Sequence, residues 1–287
     1  MKERYIDAGG LRTCYYDEGQ GPTIVLIHGA ALGDDAYVTW YRNIEALKKS
    51  YRVIAFDQVC FGRTELPKDG KYKDRTERVD HAIAFLKALN IKDACLIGHS
   101  EGAFISCRIA ILEPSLVSRL VIVTSGATAP YLGGDADAEW IKYAEGSYND
   151  RAAMMQEDSF IECSFRLNYV RDPEFERLLR ENYRRAKELG HFDLFMSQVT
   201  GTGDTDYSKR ENTQRTLVWP YLKEMQIPIL LVWSLNDPGV VVQRGVKLLE
   251  MLPMGEMHVF ASAAHFVMQD RADDFNRLIA GWCAPDK

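Results

Sequence analysis

The chain has little of what would mark a secreted, membrane-spanning or nucleic-acid-binding protein. Cysteine is sparse, six in 287 residues, at positions 14, 60, 95, 107, 163 and 283. None forms a Cys-x-x-Cys pair and most sit in apolar runs, so neither a disulfide framework nor a zinc site is expected; they read as reduced core thiols of a cytoplasmic protein. No apolar run reaches the ~18 residues of a membrane span. The opening residues, Met1 to Asp7, lack the hydrophobic region of a signal peptide. Positive charge is not in excess: 35 Lys and Arg stand against 41 Asp and Glu, a net charge of -6. That balance argues against nucleic acid and against a basic membrane-binding patch. No two histidines have metal-ligand spacing with a carboxylate nearby, so no metal is expected. His81 reads as facing solvent on a helix, His191 as part of a helical insertion and His258 as a structural residue in a strand.

What is present is a substantial core, with 46% apolar residues, arranged in a regular alternation. Short buried-strand runs lie at 23–27, 51–56, 94–97 and 120–124, and again at 228–233 and 257–260. Between them, residues 75–89 carry Val79, Ala82, Ile83, Leu86 and Leu89 on one helical face. Strands alternating with helices point to an α/β fold with a parallel sheet covered on both faces. The alternation breaks between about 128 and 226. Asp172-Pro173-Glu174 opens a helix there, with proline near its first turn and Phe175, Leu178, Leu179 and Tyr183 on one face, and Gly201-Thr202-Gly203-Asp204 interrupts the pattern. The expected organisation is a core of residues 1–131 and 213–287, with 132–212 inserted as a helical cap in the same folding unit.

The most informative stretch is Gly98-His99-Ser100-Glu101-Gly102, a Gly-x-Ser-x-Gly pattern between a strand (94–97) and a helix (from 103). A serine on a sharp strand-to-helix turn is a nucleophile elbow. The turn exposes the hydroxyl, and the helix N-terminus offers backbone N–H groups to an oxyanion. Serine needs a base, and the base an acid that fixes its tautomer. In this arrangement the partners follow in the order Ser, Asp or Glu, His. Asp237 follows the strand at 228–233 and His265 lies in the loop after the last strand, so the expected triad is Ser100, Asp237 and His265. The expected oxyanion donors are the N–H groups of Glu101, directly after the nucleophile, and of Ala30, in the loop after the first core strand. Gly29 allows close backbone approach there, and His28 is placed to brace the loop. The side chain of Glu101 is expected to point away from the oxyanion site and cap its helix, where a carboxylate gains ~0.3–1 kcal/mol.

Together, His28-Gly29, the turn from Asp57 to Thr64, the elbow and the Asp237 and His265 loops resemble the α/β-hydrolase superfamily over nearly the whole chain. Cys60 stands where the family usually has glycine. A closer resemblance is to the meta-cleavage-product hydrolases, which split C–C bonds in vinylogous 1,5-diketones made by aromatic ring opening. It is carried by the opening hairpin at 8–16 and by the long spacing from His28-Gly29 to Trp40-Tyr41-Arg42. That resemblance implies an α/β-hydrolase fold with a mostly parallel sheet, no cofactor, a small-molecule substrate, and Arg166 of the cap gripping the substrate's carboxylate or enolate. Gly29, His99 and Phe266 are further candidate substrate contacts. The elbow departs from the subfamily's usual Gly-Asn-Ser-Met-Gly at His99 and Glu101, and Phe266 stands where tryptophan usually follows the histidine.

The resulting expectation is a cofactor-free serine hydrolase. C–C cleavage is the first choice of reaction, and a carboxylic ester or lactone the second, because the same residues serve ordinary acyl transfer. A non-catalytic ligand-binding member of the fold is the alternative of a different class. The sequence leaves a homodimer open.

Overall fold

The computed structural model describes residues 1–148, 150–199 and 207–284; the expected break at 201–204 falls outside them. Eight strands form one sheet: β1 (Arg4–Asp7), β2 (Arg12–Glu18), β3 (Thr23–Ile27), β4 (Arg52–Phe56), β5 (Ala94–His99), β6 (Val117–Val123), β7 (Ile229–Ser234) and β8 (Gly255–Phe260). Their spatial order is β1-β2-β4-β3-β5-β6-β7-β8. The first two are antiparallel additions at one edge, and every pairing from β4 to β8 is parallel. Central strands β5 and β7 are buried at every residue. This is why they read as unbroken apolar runs rather than alternating ones: helices cover both faces.

Helices α1 (Ala36–Leu47), α2 (Arg75–Ala88) and α3 (Glu101–Leu112) follow β3, β4 and β5. Between β6 and β7 come α4 (Asp135–Tyr148), α5 (Arg151–Met154), α6 (Glu157–Phe165), α7 (Pro173–Glu188), α8 (His191–Met196), α9 (Tyr207–Leu217) and α10 (Trp219–Leu222). The chain closes with α11 (Val242–Leu249), α12 (Val267–Asp270) and α13 (Ala272–Trp282). The start of α7 follows its local chemistry. Asp172 accepts the N–H of Phe175 at 2.8 Å, and Pro173 takes the first helical position, whose missing N–H costs nothing there.

Two apolar clusters lie on the two faces of the sheet. One of them runs without interruption from the sheet (Leu26, Ile97, Val123) through α1 (Trp40, Ile44) into the inserted helices (Phe160, Phe175, Tyr183). The insertion therefore shares a core with the sheet. It is also tied to the loop after β8: the N–H of His265 donates to the carbonyl of Leu167 at 2.9 Å, and Asp270 accepts the N–H groups of Tyr169, Val170 and Ala264.

Sequence order reverses between β3 and β5: β4 lies on one side of β3 and β5 on the other. Open α/β sheets bind ligands at such a switch point, outside the carboxyl ends of the strands. The loops after β3, β5, β7 and β8, which carry the expected site residues, all emerge at that end.

His81 departs from the sequence expectation. It is buried, 8% exposed. Its Nδ1 accepts the N–H of Val59 at 3.1 Å, and its Nε2 lies 2.8 Å from the Thr13 hydroxyl. It faces the turn after β4, not solvent, and burial lowers its pKa to about 4. Periodicity located the helical stripe but could not show that the stripe extends under that turn. His258 is exposed on the edge strand β8, and His191 is buried in α8.

Candidate active site

The elbow is built by close approach. A Cβ on Gly98 would lie 2.4 Å from the carbonyl oxygen of Gly102, and one on Gly102 would lie 2.3 Å from the carbonyl oxygen of Ile27. No side chain fits at either position, which explains the two glycines of the motif. Between them Ser100 adopts φ 54°, ψ -117°, a left-handed conformation unusual for a residue with a side chain. Its backbone is held by its N–H to Val123 O (3.0 Å) and by the Ser125 hydroxyl donating to its carbonyl (2.7 Å).

His265 and Asp237 meet at the same end of the sheet. His265 Nδ1 lies 2.7 Å from Asp237 Oδ2, with both side chains buried. The other oxygen of Asp237 accepts the N–H groups of Gly239 (2.9 Å) and Val240 (2.8 Å). The carboxylate is therefore oriented, and Nδ1–H is the tautomer that it selects. Nε2 of His265 is left as the nitrogen able to take a proton. The His265 carbonyl is gripped by the Thr124 hydroxyl (2.8 Å) and by His99 Nε2 (3.1 Å).

His99 is thus placed beside the pair and not merely at the elbow. Its ring lies 4.7 Å from that of His265 and 4.8 Å from that of Phe266. Complete burial and the His265 charge hold its pKa well below that of a free imidazole. Neutral His99 then uses Nε2–H as its donor. Phe266, 6% exposed, packs between His99 and Phe175.

The loop after β3 is organised by two groups. His28 is fully buried and its pKa falls to about 3 through desolvation, so it is neutral. Its Nε2 accepts the N–H of Gln58 at 3.0 Å, which leaves Nδ1–H to donate to Gly29 O at 2.8 Å. Asp34 accepts the N–H of Ala31 at 2.9 Å. Ala30 and Ala31 both line the cavity that holds Ser100. At Glu101 the N–H is that of the first helical residue, which has no partner within a helix. A Cβ on Gly29 would sit 3.5 Å from Ser100 Cβ and 2.6 Å from Asp34 Oδ2, so the loop backbone runs directly against the nucleophile.

These groups line a cavity of about 490 Å³ that includes Ala30, Asp34, His99, Ser100, His265 and Phe266. Phe195 and Val199 form part of its wall from the inserted segment. Two expectations from the sequence are corrected here. Glu101 does not cap α3: its carboxylate pairs with Arg75 (2.9 and 2.8 Å) and Arg78 (3.1 Å) of α2. Its charge is offset, which removes the repulsion an isolated carboxylate would exert at the oxyanion site. Arg166 is exposed at the C-terminal end of α6, donates to Gly146 O at 3.2 Å, and does not line the cavity. Its side chain ties the end of α6 to α4 instead.

The α/β hydrolase fold family model matches residues 22–272. The chain belongs to the α/β-hydrolase family, and it is a hydrolase. It is 30% identical to a 2-hydroxymuconate semialdehyde hydrolase of Pseudomonas sp. strain CF600, over 98% of this chain and 93% of that protein. The structure superposes on a meta-cleavage product hydrolase of Pseudomonas fluorescens IP01 with TM-score 0.80 at 26% identity, covering 97% of this chain and 96% of the other. An esterase from Exiguobacterium antarcticum shares the fold at 18% identity (TM-score 0.74, 97% of this chain and 98% of the other). Among the described residues no helix is long and apolar enough to cross a membrane.

Set beside this family, Cys60 has a plain reading. It adopts φ 77°, the left-handed conformation that glycine takes without steric cost, so this chain keeps the family's turn with a side chain in it. Asp34 was missed by sequence reasoning; the signal available was a pair of acids, Asp34-Asp35, in an otherwise apolar loop. Asp35 is accounted for as the N-cap of α1, accepting the N–H of Val38. Asp34 is buried beside His265, and desolvation raises its pKa to about 7.

That shift has a consequence for stability. The native state holds a proton on Asp34 that the unfolded chain releases near pH 4, so stability falls as pH rises from about 4 to about 7 and the full penalty applies above that. Asp34→Asn keeps an acceptor for Ala31 and removes the penalty. It should stabilise the fold at pH 8 by on the order of 2 kcal/mol and do much less at pH 5. Urea unfolding at the two pH values checks this; the same increment at both would show that the proton is not involved.

Proposed function

We propose that the protein is a cofactor-free serine hydrolase with Ser100, His265 and Asp237 as its catalytic triad, acting on the C–C bond of a 2-hydroxy-6-oxo-dienoate or related diketone. The observation that carries the triad is the 2.7 Å pairing of His265 Nδ1 with Asp237 Oδ2 beside a strained serine in one cavity. The choice of a C–C bond is supported by the relatives. Those named as 2-hydroxymuconate semialdehyde and 2-hydroxy-6-oxo-dienoate hydrolases match this chain nearly end to end.

In this reading Ser100 Oγ attacks the substrate's ketone carbon as His265 Nε2 takes the hydroxyl proton. The N–H groups of Ala30 and Glu101 hold the oxyanion. The substrate reacts as its 2,6-dioxo tautomer: the adjacent C–C bond breaks, its electron pair passes through the conjugated alkene onto the distant carbonyl oxygen as a dienolate, and the imidazolium gives its proton to that fragment. Water, deprotonated by His265, then attacks the acyl-serine and releases a carboxylic acid and free Ser100. The sum is substrate plus water giving one acid and one enol or ketone fragment. Asp237 keeps the imidazole in its Nδ1–H tautomer and stabilises its cation in both halves. Residues 132–212 act as a cap that shields the cavity and shapes its apolar wall.

The second reading is a carboxylic ester or lactone hydrolase. It is favoured by a site whose parts serve any acyl transfer. The two separate by comparing kcat/KM on a 2-hydroxy-6-oxo-dienoate, followed by loss of its visible chromophore, with kcat/KM on p-nitrophenyl acetate. The C–C reading expects the dienoate to be the better substrate by about 10²-fold or more, a difference of ~2.7 kcal/mol in transition-state binding. An enzyme that turns over the ester and leaves the dienoate intact is an esterase.

A further inference from the structure

The wall of the cavity formed by α2 carries charge that the triad chemistry does not use. Arg75 binds Glu101 through Nε and Nη2, at 2.9 and 2.8 Å, and Arg78 binds it through Nη2 at 3.1 Å. Their side chains are 12% and 5% exposed, and that of Glu101 is 13% exposed. Two permanent cations thus face one carboxylate in a largely dry setting. The remaining nitrogen of each guanidinium, Nη1, is buried and has no hydrogen-bond partner among the described residues.

Both arginines line the cavity that also holds Ser100 and His265, and Glu101 adjoins the nucleophile in the chain. Two other acids line it. Asp74 is exposed at the rim, and its side chain is taken up by the N–H groups of Thr76 and Glu77 at the start of α2. Asp34 lies among the triad residues, with its carboxyl pushed toward the neutral form. The arginine end is therefore the cationic end of the cavity.

We propose that Arg75 and Arg78 form the subsite for an anionic group of the substrate, a carboxylate or the enolate conjugated with it, while the substrate's carbonyl meets Ser100. Glu101 acts as a positioning residue: it holds both guanidinium groups in the cavity wall. This assignment rests on the serine-hydrolase reading of the cavity, but not on which bond is cut. It moves the carboxylate grip from the exposed Arg166 of the cap to the fixed helix α2.

The test is a binding measurement that needs no turnover. Hexa-2,4-dienoate and its methyl ester are titrated by calorimetry into the wild-type protein, Arg78→Gln and Arg75→Gln, with thermal melts to select the variants that remain folded. The anion should bind the wild type more tightly than the ester does. Its Kd should rise about 10- to 100-fold in either variant, the size of a lost charge-assisted hydrogen bond, while the Kd of the ester stays within about twofold. An anion that binds no better than its ester, or variants that weaken both ligands equally, overturns the subsite. Which bond is cleaved is decided separately by the dienoate and ester rates, so either idea can fail alone.

Discussion

Ser100→Ala should abolish turnover of the best substrate, by about 10⁴-fold or more, without unfolding the protein. The size of the loss follows from the role. Without the hydroxyl there is no atom to form the acyl intermediate, and what remains is the oxyanion site and binding. Retention of the fold follows from how the elbow is held. Its strained backbone is fixed by the Ser100 N–H to Val123 and by the Ser125 hydroxyl on the Ser100 carbonyl, neither of which uses the Ser100 side chain. Alanine tolerates φ 54° no worse than serine does. Steady-state rates with a melting curve on the same preparation check the result. A folded variant keeping a tenth of the wild-type rate would remove Ser100 from the mechanism.

Asp237→Asn should cost about 10⁴-fold in kcat while leaving the shape of the site unchanged. The reasoning is one of proton placement. Asp237 Oδ1 already accepts two backbone N–H groups, from Gly239 and Val240, so the asparagine must keep its carbonyl oxygen there. Its amide NH2 then faces His265 Nδ1. A donor at that position forces Nδ1 to accept and moves the imidazole proton to Nε2. The nitrogen meant to deprotonate Ser100 would arrive already protonated. Loss of the carboxylate also removes the charge that stabilises the imidazolium. The expected signature is a fall in kcat with little change in KM. A pH–rate profile distinguishes it from misfolding, because hydroxide partly replaces the missing base as pH rises. A variant within tenfold of wild type would show that another acid orients His265.

Much of the arrangement was legible in the chain because it depends on local rules. The core strands show as apolar runs since strands covered on both faces need no polar alternation. β3 coincides with the expected 23–27, and α7 starts where Asp172-Pro173 says it should. The elbow was recognisable because its glycines answer contacts within a few residues of the serine or on the adjacent β3, and no other residue type survives them. The order of Ser100, Asp237 and His265 was readable because each follows a strand and strand ends share one edge of a parallel sheet.

The parts that were not legible concern side chains whose direction depends on distant elements. Arg166 and Arg78 are both arginines on helices, and nothing local tells them apart. Only the packing of α6 against α4 turns the first outward, and only the crossing of α2 over the start of α3 brings the second to Glu101. His81 shows the same: its helix was visible, but its partners Thr13 and Val59 come from β2 and from the turn after β4. Asp34 draws its neutral tendency from complete burial, which no window of sequence reports. By itself the sequence determined the class of fold, the elbow and the identity of the residues at the strand ends, because those follow from periodicity, steric exclusion and chain order. The charge state of the cavity and which cation faces it were decided by the tertiary structure, since electrostatics and burial depend on distances between residues far apart in the chain.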